Sequence, residues 1–198
     1  MTQLTRRTLL AGLATLPLTP AAHAAIAPYK LVLQNTSVGF TFDLSGLTQS
    51  GTMPIQTTDI QIDVRDLTKS RVAVTLNAAE ARTKLPFARS AMLGVGVLDV
   101  ENYPTIHFAS TKVELGEGGR LSRGAKITGD LTLRDVTRPI AFQADLFRPP
   151  GSAPENLDML SIRLTGGLNR HDFGASGYAD LVQDTVGLDI RAEIKRVT

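Results

Sequence analysis

Apolar and polar residues alternate with a period of two through most of this chain from Tyr29 onward, and that pattern commits it to strands that each bury one face. The clearest run puts Ile127, Gly129, Leu131 and Leu133 on one face and Lys126, Thr128, Asp130, Thr132 and Arg134 on the other. The last run sets Val186, Leu188, Ile190, Ala192 and Ile194 against Asp189, Arg191, Glu193 and Lys195. Similar segments lie at Val38 to Leu44, Ile60 to Val64, Val72 to Leu76, Ile106 to Leu115, Ile140 to Leu146 and Leu160 to Leu168. Together they predict about eight strands, with a short extra one at Lys30 to Leu33. Turn chemistry falls between them, as in Gly116 to Gly119 and Pro149 to Pro154. One stretch departs from the pattern. In Ala78 to Leu93, Leu85, Ala88, Ala91 and Met92 recur at helical spacing, with Pro86 limiting or kinking the segment, which predicts a short helix or lid.

Strands with one apolar face close either as two sandwiched sheets or as one sheet curled into a barrel, and alternation does not choose between them. It does exclude a barrel embedded in lipid. The faces that would meet hydrocarbon carry Asp59, Asp63, Arg65, Asp145, Arg163 and Glu193, each costly there. The apolar faces therefore point inward.

The N-terminus reads as a cleaved export signal over residues 1–24, followed by a single domain over 25–198. A basic start at Arg6 and Arg7 precedes an apolar run from Thr8 to Leu18 and a small-residue ending at Ala24. The adjacent arginines also fit the twin-arginine pattern, and the expected destination is the periplasm. The apolar run, interrupted by Gly12, Pro17 and Pro20, is too short for a permanent membrane span. Losing Arg6 and Arg7 takes the 21 basic residues to 19, equal to the 19 acidic ones, so the remaining chain is neutral and nucleic acid drops out as a partner. With no cysteine anywhere, disulfide staples, thiolate zinc sites and thiol nucleophiles are excluded.

Candidate chemistry is sparse. Beyond the signal there are two histidines, far apart in sequence, and no cluster with metal-ligand spacing. His107 alternates outward beside Ile106 and Phe108 and reads as a solvated strand residue. The run Asn169, Arg170, His171, Asp172, Phe173, Gly174 gathers more polar groups, yet shows no nucleophile and no oxyanion donor, and reads as a hydrogen-bonded turn anchoring a strand end. Phe40, Phe42, Phe108 and Phe142 fall on apolar faces, where core and cavity lining are equally compatible with the pattern.

Several segments together resemble the YceI-like family of exported lipid-binding proteins. They are Thr36 to Phe40; Leu98 to Phe108 with Ser110 and Thr111; Thr128 to Leu133 with Val136 to Pro139; and Asn169 to Gly174, in family order across nearly the whole chain. The resemblance implies an all-β fold, an eight-stranded antiparallel lipocalin-like barrel with a short helical segment, whose interior holds a polyisoprenoid or similar chain. The sequence departs from the family pattern in two places. Asn35 stands where a histidine is usual, and Ala88, Arg89, Ser90 and Ala91 stand where an Arg-Asp-x-His cluster is usual. Fewer polar groups near the helical segment shift the expected ligand from a pyrophosphate-headed lipid toward a neutral quinone-like, amide-like or fatty-chain lipid.

The reading is a non-enzymatic carrier that needs no cofactor beyond its lipid and touches the membrane transiently, with room for a homodimer. The expected barrel lining is Phe40, Phe42, Leu85, Met92, Phe108, Leu131, Leu133, Phe142, Leu188 and Ile190, with no catalytic residue and no metal ligand. Its rivals are a structural or interaction barrel with a filled core, and a lipid-modifying enzyme using Arg170, His171 and Asp172.

Overall fold

The computed structural model describes residues 26–117, 123–153 and 156–197. The predicted export signal, part of the glycine turn at Gly118 and Gly119, and Pro154 lie outside the described residues.

The strands are β1 (Ile26–Leu31), β2 (Ser37–Leu44), β3 (Leu47–Met53), β4 (Ile55–Asp63), β5 (Arg71–Asn77), β6 (Arg82–Thr83), β7 (Thr105–Leu115), β8 (Ala125–Leu133), β9 (Val136–Phe147), β10 (Met159–Asn169) and β11 (Val182–Arg196), with one helix, α1 (Pro86–Leu93). All pair antiparallel in a single sheet, which closes because β1 pairs with both β4 and β11. Three positions in the wall are shared by two strands laid end to end. A 3-10 turn at Leu33–Asn35 separates β1 from β2, Pro54 separates β3 from β4, and a 3-10 turn at Ala78–Glu80 separates β5 from β6. The long β11 shows the first case directly, pairing Ile194 with Leu31 of β1 and Arg191 with Ser37 of β2. The result is an eight-stranded antiparallel barrel with one short helix.

Local chemistry explains the joints. Ser45 and Gly46 both take positive φ (49° and 82°) in the two-residue turn between β2 and β3, and Arg134 and Asp135 do the same (51° and 58°) between β8 and β9. Two successive left-handed residues match the right-handed twist of the flanking strands. Pro86 does not kink the helix; it opens it at the first position, where its missing N–H costs nothing.

Two apolar clusters lie inside the wall. At one end Ala27, Tyr29, Ile60, Ile62, Leu160 and Ile194 pack into a floor. Toward the other end Met53, Ile106, Leu131, Leu133, Ile140, Phe142 and Phe173 form a second cluster, capped by α1 and residues 94–104. One of the charged positions assigned to the outer face is not there. Asp63, at the end of β4, is buried and accepts hydrogen bonds from the backbone N–H groups of Arg65 and Asp66 (3.0 Å each), because the strand ends there and turns into the next segment. Asp59, Asp145 and Arg163 are exposed on the wall's outer surface. Among the described residues no helix is long and apolar enough to cross a membrane.

Candidate functional site

The barrel is hollow. A cavity of about 390 Å³ runs up its interior from the floor, within the size range of small-molecule sites. Phe40 and Phe42 of β2, Leu188 and Ile190 of β11, Phe108 of β7, Leu131 and Leu133 of β8, Phe142 of β9 and Met92 of α1 all line it. Phe40, Phe42, Phe108, Leu188 and Ile190 point inward yet are only half-buried, because they face this space instead of packed neighbours.

Leu85 is the exception among the expected lining residues and requires a correction. It precedes α1 in extended conformation (φ −100°, ψ 111°) and does not reach the cavity wall. Starting the helix at Pro86 turns Phe87, Ala88, Ala91 and Met92 to the lumen instead. Tyr178 and Leu181 also line it, from a connecting segment between β10 and β11 that carries no alternation and therefore no readable signal.

Glycines set how the aromatic rings lie. Gly51 and Gly166 pair across the sheet with Phe40 and Phe142, and a Cβ at either would stand 2.2 Å and 3.0 Å from the ring, respectively. Gly129 leaves the same space beneath Phe108, with a Cβ position 2.5 Å from its ring. Each ring folds onto a bare stretch of backbone and lies along the wall, which keeps the lumen open. Phe108 and Phe142 meet edge to face, with centroids 5.4 Å apart, and Phe40 stacks on Phe42 at 6.2 Å.

The polar side chains of the wall are Thr36, Arg170 and Tyr178. Thr36 Oγ1 donates to the carbonyl of Val32 (2.9 Å) and accepts from the N–H of Glu193 (3.3 Å). Arg170 is 4% exposed, and its guanidinium donates to four backbone carbonyls. Nε reaches Gln183 (3.1 Å), Nη1 reaches Ala175 (2.6 Å) and Gly177 (2.7 Å), and Nη2 reaches Val182 (2.9 Å). Both groups hold backbone in place. Tyr178 sits at the rim, more than half exposed.

The segment Asn169 to Gly174 is the hydrogen-bonded turn its composition suggests. Asn169 Oδ1 accepts from the N–H of His171 (2.9 Å), a 3-10 turn runs over Arg170–Phe173, and Gly174 closes it at φ 71°. The buried anchors are Arg170 and Phe173, while His171 and Asp172 are exposed. His171 Nε2 lies 3.2 Å from Asp184 Oδ1, a pair well exposed to solvent. His107 Nδ1 lies 2.9 Å from Thr75 Oγ1 on an exposed face. The three residues an enzymatic reading would recruit are therefore divided between a buried backbone clamp and exposed side chains. No group of three or more metal-ligating side chains is gathered among the described residues.

Residues 29–194 match the YceI-like domain family. A UPF0312 protein of Pseudomonas syringae pv. tomato is 31% identical over 177 residues, covering 87% of this chain and 88% of the relative. A UPF0312 protein of Pseudomonas putida (strain W619) is 34% identical over 125 residues, which span 63% of this chain and 62% of that relative's length. Among solved structures, BcnA of Burkholderia cenocepacia superposes with a TM-score of 0.70 at 14% identity, covering 83% of this chain and 99% of the other. A polyisoprenoid binding domain from Saccharophagus degradans gives 0.62 at 11% identity, covering 86% and 99%. Similarity in sequence along most of the chain and in barrel architecture converge on one assignment: the chain belongs to the YceI-like domain family.

Proposed function

We propose that this protein is an exported periplasmic carrier that holds one long apolar lipid chain in its lumen, takes it up during transient membrane contact, and performs no chemistry on it. The observation that carries the reading is the lumen itself: a continuous apolar wall in which Thr36 and Arg170, the polar groups below the rim, are committed to backbone partners. Such a wall favours methylenes and offers nothing to a charged headgroup inside. The apolar α1 face, with Ala88 and Ala91 where the family tends to be polar, supports a neutral isoprenoid, quinone-like or fatty-chain ligand. The binding named for the Saccharophagus degradans neighbour points the same way.

Burial of methylenes contributes roughly 0.8 kcal/mol each, so about ten of them supply near 8 kcal/mol, the scale of micromolar affinity before ordering costs are subtracted. A carrier needs that range, tight enough to shield a chain and weak enough to release it. Export rests on the arginine pair and apolar run of the N-terminus. Native mass spectrometry of protein recovered from its own cell envelope, followed by organic extraction, tests the reading. The expected result is a single apolar lipid per barrel. A barrel recovered without lipid that also fails to take up a prenyl probe overturns it, and release of a chemically altered lipid replaces carrier with enzyme.

A further inference from the structure

Five large apolar side chains remain more than half exposed around the open end of the barrel: Leu47, Phe87, Val95, Tyr178 and Leu181. They belong to three stretches of chain, the β2–β3 turn, α1 with the residues directly after it, and the segment before β11, which backbone hydrogen bonds tie into one rim. The N–H of Ser45 donates to Leu181 (2.7 Å), joining the β2–β3 turn to the connecting segment before β11. The N–H of Gly177 donates to Gly96 (2.7 Å), joining that segment to the stretch following α1. Arg134 Nη1 donates to the carbonyls of Val95 and Val97 (2.9 Å each), fixing the same stretch to the β8–β9 turn.

Phe87, Tyr178 and Leu181 are at once rim and cavity wall, so the exposed apolar surface continues without a break into the lumen. Tyr178 takes φ 58°, an uncommon conformation for a bulky residue. It is held there by the N–H groups of Leu181 (3.0 Å) and Val182 (2.9 Å), both donating to its carbonyl. Backbone strain of this kind persists where surrounding structure enforces it, and here its effect is to present an aromatic ring at the mouth.

We infer that this rim is a membrane-docking surface that seats the open end on a lipid bilayer, so that a chain passes from bilayer to lumen without crossing water. The inference rests on the carrier reading for its purpose but not for its test. A contiguous exposed apolar patch marks a contact site, and a bilayer is the occupant favoured by its continuity with an apolar lumen. Charge around the rim is mixed, with Arg82, Lys84 and Arg89 on the α1 side and Asp43 and Asp180 on the other. Docking is therefore apolar, and neutral vesicles suffice.

Leu47 and Val95 are on the rim but not in the cavity wall, which allows docking to be separated from binding. The experiment compares wild type, a Leu47→Asp/Val95→Asp double variant, and a Leu33→Asp/Phe147→Asp control at exposed apolar positions off the rim. Two quantities are measured: transfer of a fluorescent prenyl probe from phosphatidylcholine vesicles, and binding of the same probe without vesicles. The rim variant should slow transfer by at least about tenfold with vesicle-free affinity unchanged, and the control should alter neither. Equal transfer by all three, or equal slowing by the control, overturns the docking inference. Should wild type bind no probe without vesicles, the carrier reading fails. Docking is then decided by co-sedimentation of empty protein with phosphatidylcholine vesicles, where retention by wild type and loss by the rim variant uphold it, and no retention of wild type overturns it.

Discussion

The two ends of the barrel are held by different interactions. At the floor Tyr29, Ile60, Ile62, Leu160 and Ile194 pack against one another, and Leu160 and Ile194 are fully buried. At the mouth a second cluster packs beneath α1, and the segments around the opening are tied by hydrogen bonds to backbone, with the Arg170 guanidinium at their centre, while Phe87, Val95, Tyr178 and Leu181 stay exposed. Packing gives the floor its stability by excluding space, whereas hydrogen bonds give the mouth order without filling it. A protein that must be solid enough to fold and hollow enough to bind can divide those demands between its two ends.

The largest effect should come from the mouth's clamp. Replacing Arg170 with Ala leaves four carbonyls without their donor, at about 1 kcal/mol or more each, so a loss of about 4 kcal/mol is expected in denaturant unfolding. Arg170→Lys should recover only part of it, since an ammonium lacks the planar fork that reaches four acceptors. If Arg170→Ala unfolds like wild type, hydrogen bonding is not what holds the mouth.

The same truncation at two places sharpens the contrast. Leu160→Ala removes a side chain from the floor and should cost about 3 kcal/mol, transfer and cavity terms together. Leu188→Ala removes one that already faces open space, so little new void forms and about 1 kcal/mol is expected, with weaker binding of a prenyl probe. Equal losses at both sites would mean the lumen is packed like the floor.

Tyr29 carries a long-range polar tie at the floor, its hydroxyl donating to the carbonyl of Leu157 at 2.6 Å. Tyr29→Phe should cost about 1 kcal/mol at neutral pH. Burial pushes the phenol above its ordinary value, with Asp158 adding to the rise and Arg196 opposing it. The neutral phenol is thus the form the fold prefers. Its contribution is complete below the ordinary phenol pKa and is lost as pH rises through the folded value, so wild type should lose stability in alkali faster than the Phe variant.

The smallest effect belongs to the outer wall, where Arg163 meets Asp189 through two bonds of 3.0 Å. Hydrogen bonding to the guanidinium holds the Asp189 carboxyl below the usual carboxylate range. Whatever this exposed pair adds is present at neutral pH, disappears as pH falls through that lowered value, and is screened by salt. Asp189→Asn should differ from wild type only at low salt and neutral pH, in thermal melts; a loss that persists in high salt would assign the pair a larger role.

Most of the wall was legible in the sequence because β2, β5, β7, β8, β9, β10 and β11 carry large apolar residues on one face. β3 was not, because it sets Gln49 and Gly51 opposite Phe42 and Phe40, and Gly51 is bare so that Phe40 can lie across it. A ring supplied by the neighbouring strand erases the alternation of the strand beneath it. The first half of β4 was hidden because the register shift between Ile55 and Thr57 breaks its alternation. Eight of the residues named from strand alternation face the cavity because charged neighbours set the phase of each strand, and Met92, named from helical spacing, faces it from α1. Leu85 failed because helical spacing does not say where a helix begins. Tyr178, Leu181 and the clamp made by Arg170 depend on chain segments brought together only by closure of the barrel, and no periodicity encodes them.

The central claim is that the lumen is a binding space and not an incompletely packed core. Leu188→Trp places a larger side chain in it from the wall, at a position outside the floor cluster and the rim. Equilibrium titration of wild type and Leu188→Trp with a fluorescent polyprenyl probe, alongside a thermal melt of each, tests the claim most directly. The account predicts saturable binding of a single probe by wild type and clearly weaker binding by Leu188→Trp, whose melting temperature equals or exceeds that of wild type. Undiminished binding by the folded variant, or no binding by wild type, would contradict it.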